Sequence, residues 1–148
     1  MIVIRDNYVF NTGRMCIGLG GDGTMCANNI TRIKKDVWRP TVTGENATHG
    51  SSTNDNRAIE MRGWRWVVDG NDVSTPGKIA DIYVNANRNS GPQPCRNVTI
   101  ADNTTRSDGI LIQGSPASKN VIRDNRHVGG KGRITNNAKA KLSGNKGC

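Results

Sequence analysis

Residues 97–114 read NVTIADNTTRSDGILIQG: a Val-Thr-Ile strand pattern, an Asp-Asn turn and an Ile-Leu-Ile strand pattern in close succession. Only six residues separate Asn103 from Ile110. A parallel crossover through a helix needs about a dozen or more, so a βαβ unit is excluded. A hairpin would satisfy the stretch taken alone. What decides between a hairpin and a winding chain is whether the unit recurs.

Aligned on an asparagine three residues after an aliphatic, the unit appears five times: Val3-Ile4-Arg5-Asp6-Asn7, Val67-Val68-Asp69-Gly70-Asn71, Thr99-Ile100-Ala101-Asp102-Asn103, Val121-Ile122-Arg123-Asp124-Asn125 and Lys141-Leu142-Ser143-Gly144-Asn145. Aliphatic pairs follow as Ile17-Gly18-Leu19, Ile82-Tyr83-Val84 and Ile110-Leu111-Ile112. The unit is thus a strand, an Asn turn, a short connection and a second strand. Successive asparagines are 64, 32, 22 and 20 residues apart. A period near 20 with enlargements fits stacked short strands with loops bulging from some turns. The 64-residue interval then holds about three windings that lack the Asn, with strand pieces at Ile30-Thr31-Arg32-Ile33 and Ala58-Ile59-Glu60-Met61. The register of these pieces stays open, as does that of Ile134-Thr135-Asn136-Asn137.

Over most of residues 1–21 and 58–145 this pattern resembles the right-handed parallel β-helix repeat of the pectate-lyase-like superfamily, which includes polysaccharide lyases, epimerases and phage tailspikes. The resemblance implies an all-β solenoid of about six or seven coils, forming one domain over 1–148 with a long loop, 38–57, extruded from it. Alternate residues then point inward, which makes Ile100, Ile110 and Ile112 core positions. The asparagines form a ladder, each taking a left-handed turn conformation and hydrogen-bonding its neighbours above and below. Trp66 aligns with Ile2 and Val98 and is expected inside; Trp64 aligns with Arg96 and Ser118, at a corner. Asp6, Asp102 and Asp124 read as turn residues.

Composition narrows the partners. The 148 residues include 18 Gly and 18 Asn but only 4% aromatics, and the 21 Lys and Arg against 12 Asp and Glu leave a charge of +9. Such an excess suits a polyanion: acidic polysaccharide, nucleic acid or an anionic surface, with plain solubility charge as the competing reading. Nucleic acid is disfavoured, because no aromatic-basic motif of a known module appears. No run of 18 apolar residues offers a membrane-spanning helix. MIVIRDNYVF starts inside a strand pattern without a secretory leader, so either the first winding is exposed or the chain belongs to something larger. Cys16, Cys26, Cys95 and Cys148 lack metal-type spacing; Cys16 with Cys26 could close a loop, or all four could stay unpaired. Four Asn-x-Thr sequons begin at Asn29, Asn46, Asn97 and Asn103, and chance matches are expected in so Asn-rich a chain.

Chemistry must come from outward faces and loops. The segment from Trp38 to Arg57 carries Arg39, His49 and Arg57, and IEMRGWRWVVDGN follows with Arg62, Trp64 and Arg65. Aromatic faces stack on sugars and Arg forks pair with carboxylates, so Trp38, Arg39, His49, Arg57, Arg62, Trp64 and Arg65 are the candidate ligand-binding residues. His49 and His127 lack a partnered nucleophile and read as solvated. The resemblance to lyases, which use Arg or Lys as base and hold Ca²⁺ on acidic residues, makes Glu60, Arg62, Arg65 and Asp69 the catalytic candidates, with Ca²⁺ as the cofactor in that case and none otherwise; the alternative enzyme class, a glycoside hydrolase, would need two carboxylates about 5 to 9.5 Å apart. Glu60, Asp69 and Asp72 would be its ligands, although no Ca²⁺-type acidic spacing is present. The expected function is therefore interaction with acidic polysaccharide in an extracellular or virion setting. The competing expectation is a non-catalytic structural component of a phage tail or virion, joined to other copies through its open strand edges.

Overall fold

The structure, a computed structural model, describes residues 1–10, 15–32, 57–75, 80–86, 94–117, 119–130 and 132–148. Among them every regular element is a strand and every ladder is parallel. The first sheet stacks β1 (Ile2–Arg5), β4 (Thr24–Ala27), β7 (Val67–Asp69), β11 (Thr99–Ala101), β15 (Val121–Arg123) and β18 (Lys141–Ser143), in that order. The second stacks β2 (Tyr8–Phe10), β5 (Ile30–Arg32), β8 (Asp72–Ser74), β12 (Thr104–Thr105) and β16 (Arg126–His127). In the third lie β3 (Met15–Asp22), β6 (Arg57–Trp64), β9 (Ala80–Asn85), β13 (Gly109–Gln113) and β17 (Arg133–Asn136). A small fourth sheet joins β10 (Pro94–Cys95) to β14 (Ser115–Pro116). The chain visits the three main sheets in the same cyclic order throughout, which makes the fold solenoid-like.

Register explains the core. Ile4, Cys26, Val68, Ile100, Ile122 and Leu142 face one another down the first sheet. Ile17, Ile59, Ile82, Ile110 and Ile134 do so down the third. Away from the two ends these side chains are buried in one cluster fed by all three sheets. Each full burial of an Ile or Val contributes about 1.5–3 kcal/mol. Trp66 is fully buried and Trp64 half-buried, as their alignments predict.

Between the first and second sheets the backbone turns through a column of left-handed residues: Asp6 (φ 58°), Asn28 (53°), Gly70 (63°), Asp102 (54°), Asp124 (55°) and Gly144 (63°). Asp, Asn and Gly are the residues that tolerate this conformation. The expectation that the ladder asparagines themselves adopt it is corrected: the strain sits one residue earlier. The following asparagine turns inward. Asn71 shows the pattern, its Oδ1 accepting from the backbone N and Nδ2 of Asn29 (2.9 and 3.0 Å) while its own N and Nδ2 donate to Asn103 Oδ1 (both 2.9 Å).

Asn29 is the ladder member that the sequence alignment passed over. It takes the donors of Asn7 and donates to Asn71. The interval from Asn7 to Asn71 is thus divided once, at Asn29, and the reading of about three Asn-free windings is withdrawn. Ile30–Arg32 and Ala58–Met61 are the second- and third-sheet strands of one passage. Buried Asn29 and Asn103 are ladder residues and not glycan acceptors. Ile134-Thr135-Asn136 finds its register as β17 beside β13. Among the described residues no disulfide joins the cysteines, and Cys26 points into the core, where its Sγ accepts from Asn29 Nδ2 at 3.3 Å. His127 is not solvated either: it is buried in the inward column of the second sheet, its Nδ1 3.0 Å from Thr105 Oγ1.

Candidate functional site

Of the sequence candidates, Trp38, Arg39 and His49 lie outside the described residues, as does the 38–56 part of the expected loop. Arg57, the last residue of that loop by sequence, instead opens β6 and is buried. The rest of the cluster follows on the same strand.

Because Ile59 and Met61 point into the core, Glu60 and Arg62 point out, beside Gly18 and Gly20 of β3 on one side and Tyr83 and Asn85 of β9 on the other. The two glycines leave the neighbouring strand bare. A recess of about 220 Å³ results, lined by Gly18, Leu19, Gly20, Glu60 and Arg62. Glu60 is only 2% exposed. Arg62 Nε donates to Glu60 Oε1 at 2.6 Å, and Arg57 Nη1 stands 3.4 Å from Oε2. That second contact is an ion pair without hydrogen-bond alignment, so Oε2 accepts no hydrogen bond among the described residues. The Arg57 guanidinium also lies 5.1 Å from the Tyr83 ring centre, and Tyr83 donates its hydroxyl to Gln113 Oε1.

Where β6 ends, the chain rounds the corner from the third sheet to the first. Gly63 takes φ 132°, and a Cβ there would meet Gly21 O at 2.0 Å, so two backbones pass where no side chain fits. Beyond it stand Trp64 and Arg65, with Arg96 and Asn97 from the next passage and Asp22 from the previous one. Arg96 lies over the Trp64 ring, 5.5 Å from its centre. Arg65 grips Asp22 with two donors, Nε to Oδ1 at 2.8 Å and Nη2 to Oδ2. This fork holds the Asp22 carboxyl below its usual range and raises Arg65 in turn. The corner recess measures about 320 Å³. Arg62, Arg65 and Arg96 are all exposed.

The sequence did not single out Asp22, Arg96 or Asn97 as site residues. The alignment of Trp64 with Arg96 is the available signal, since equivalent positions of successive passages come to stand beside each other at the corner. The acids expected to share a Ca²⁺ do not converge. Glu60 belongs to the third sheet, Asp69 ends β7 of the first, and Asp72 opens β8 of the second, clamped between Arg32 and Arg106. Among the described residues no three His, Cys, Asp or Glu side chains group to hold a metal.

Stacked parallel strands with an Arg-Trp corner define the class: a solenoid-like all-β protein carrying an arginine-rich recess. Comparison of the chain with protein-family models, with curated proteins and with solved structures finds no match in any of the three.

Proposed function

We propose that the chain is a right-handed parallel β-helix of about six coils, akin to the pectate-lyase-like superfamily, that binds acidic polysaccharide at an extracellular or virion surface. The cyclic visiting of three parallel sheets supports the architecture, and parallel connections of this kind are right-handed in nearly every known case. The observation that carries the function is the corner recess, where a Trp64 face already accepts a flat cation from Arg96 beside the exposed forks of Arg65 and Arg62. A planar guanidinium pairs a carboxylate or sulfate with two parallel hydrogen bonds, and an indole face receives the apolar side of a sugar ring. Binding is the favoured reading over cleavage, because Glu60 and Asp22 are each engaged by arginine.

The test is retention on heparin and alginate. The triple variant Arg62→Ala, Arg65→Ala, Arg96→Ala should elute at lower salt and bind roughly ten-fold more weakly, given less than about 1 kcal/mol per exposed ionic contact. Retention equal to that of the parent protein would overturn the reading.

A further inference from the structure

The outer face of the second sheet takes no part in that corner. Val73 and Thr105 point inward there, so the register column Tyr8, Ile30, Asp72, Thr104, Arg126 and Lys146 points out. Phe10 and Arg32 flank the column, and Arg106 follows β12 on the same side. Among the described residues the face therefore carries Arg32, Arg106, Arg126 and Lys146 against the carboxylate of Asp72. That carboxylate is shared: Arg32 Nη2 stands 2.9 Å from Oδ2, while Arg106 donates from Nε to Oδ1 at 2.6 Å and from Nη2 to Oδ2 at 2.8 Å. Among the described residues no carboxylate pairs with Arg126 or Lys146, and both are exposed. With about 4.8 Å between strands, the cations from Arg32 to Lys146 span about 19 Å along the stacking axis.

At the far end of the same face, apolar rings take over from charge. Tyr8 is 66% exposed, Phe10 43% and Ile30 41%. The two rings lie within 18° of parallel, centroids 6.2 Å apart. A flat strip of cations ending in a small aromatic platform is complementary to a linear polyanion laid along the strand stack. Nucleic acid fits it less well than a glycan. Single strands stack successive bases on successive aromatics, whereas both rings here stand on one strand and offer a single stacking step.

We infer that the second-sheet face is a second acidic-glycan site, so that one molecule holds two polysaccharide chains and bridges them. This rests on the polysaccharide reading of the corner. The packed core lies between the two surfaces, and a short glycan cannot occupy both. Two weak sites joined rigidly gain avidity on a long polymer without any new contact.

Calorimetry with a short heparin oligosaccharide tests this on the whole chain. The parent protein should bind two molecules, and Arg126→Ala with Lys146→Ala should bind one. The corner triple variant should also bind one. Arg126→Ala and Lys146→Ala remove no ion pair among the described residues, so an unchanged circular dichroism spectrum is expected for that variant. Long heparin should scatter light strongly with the parent protein and far less with either variant. A stoichiometry of one for the parent protein, or of two for the second-sheet variant, overturns bivalency while leaving the corner reading intact. Full loss of binding in the second-sheet variant, with none in the corner variant, overturns the corner reading and bivalency together. Preferential displacement of the second-sheet ligand by oligo(dT) overturns the glycan assignment of that face.

Discussion

Replacing Asn103 by Ala should cost the protein about 2–3 kcal/mol, because the side chain closes both directions of the ladder from a buried position. Its Oδ1 is the acceptor of Asn71 N at 2.9 Å, and its Nδ2 donates to Val68 O at 2.9 Å, Ala101 O at 2.7 Å and Asn125 Oδ1 at 2.9 Å. Asn71 Nδ2 survives the change, since Cys26 O and Asp69 O remain within 3.1 Å of it. Asn125 Oδ1 also survives, retaining the Asn103 backbone donor at 3.0 Å. What is stranded is the Asn71 N–H alone, because the Val68 carbonyl keeps the Ala101 N–H of the parallel ladder and the Ala101 carbonyl keeps the Gly70 N–H at 3.1 Å. Each orphaned buried group costs about 1–3 kcal/mol.

Asn7 provides the internal control. It is exposed, and its side chain only donates, to Arg5 O at 2.8 Å and to Asn29 Oδ1 at 2.9 Å. Asn7→Ala should therefore cost under about 1 kcal/mol. Urea denaturation followed by circular dichroism measures both, at equal m. A difference between the variants below about 1 kcal/mol would refute the claim that the buried ladder is a principal source of stability.

Two further outcomes follow from titration and access. Asp72 is held below its usual range, chiefly by its hydrogen bond from Arg106 and then by Arg32. A carboxyl depressed in the folded state stabilises above its unfolded pKa, and the benefit vanishes as pH falls through the folded value. Stability should thus decline as the pH drops below about 4, and Asp72→Asn should flatten that limb by at most about 1 kcal/mol in acid denaturation curves. Burial pushes the Cys26 thiol up to about 12 and the Cys95 thiol to about 11, whereas Cys148 is exposed. Iodoacetamide at mildly alkaline pH should label Cys148 in the native protein and reach Cys26 and Cys95 only in urea, as read by peptide mass spectrometry. Labelling of Cys26 in the native protein would contradict its placement in the core.

How far the sequence could be read depended on how each sheet announces itself. The first and third sheets carry aliphatic columns, so Ile82-Tyr83-Val84 and Ile110-Leu111-Ile112 were legible as strands and Trp66 as core. The second sheet does not. Its strands are two or three residues long, and the later ones, such as Thr104–Thr105 and Arg126–His127, are too polar for alternation to show. The unit consequently read as two strands instead of three. Asn29 was hidden because Cys26 replaces the aliphatic three residues before it, while Asn28 fills the left-handed position that Asp or Gly fills elsewhere. At the corner, Trp64 and Arg65 were visible as a local cluster. Asp22 and Arg96 were not, since only the stacking of distant passages brings them there.

The ladder also separates how much chain a passage uses from how far it climbs. From Asn125 to Asn145 is 20 residues and from Asn29 to Asn71 is 42, yet both pairs meet through the same bonds, at 2.9 to 3.1 Å. The molecule behaves like a spool whose thread can be lengthened at one point without changing its pitch. A foreign segment spliced between Arg32 and Arg57 should leave the amide column in place, which makes that stretch the natural point for grafting a new specificity.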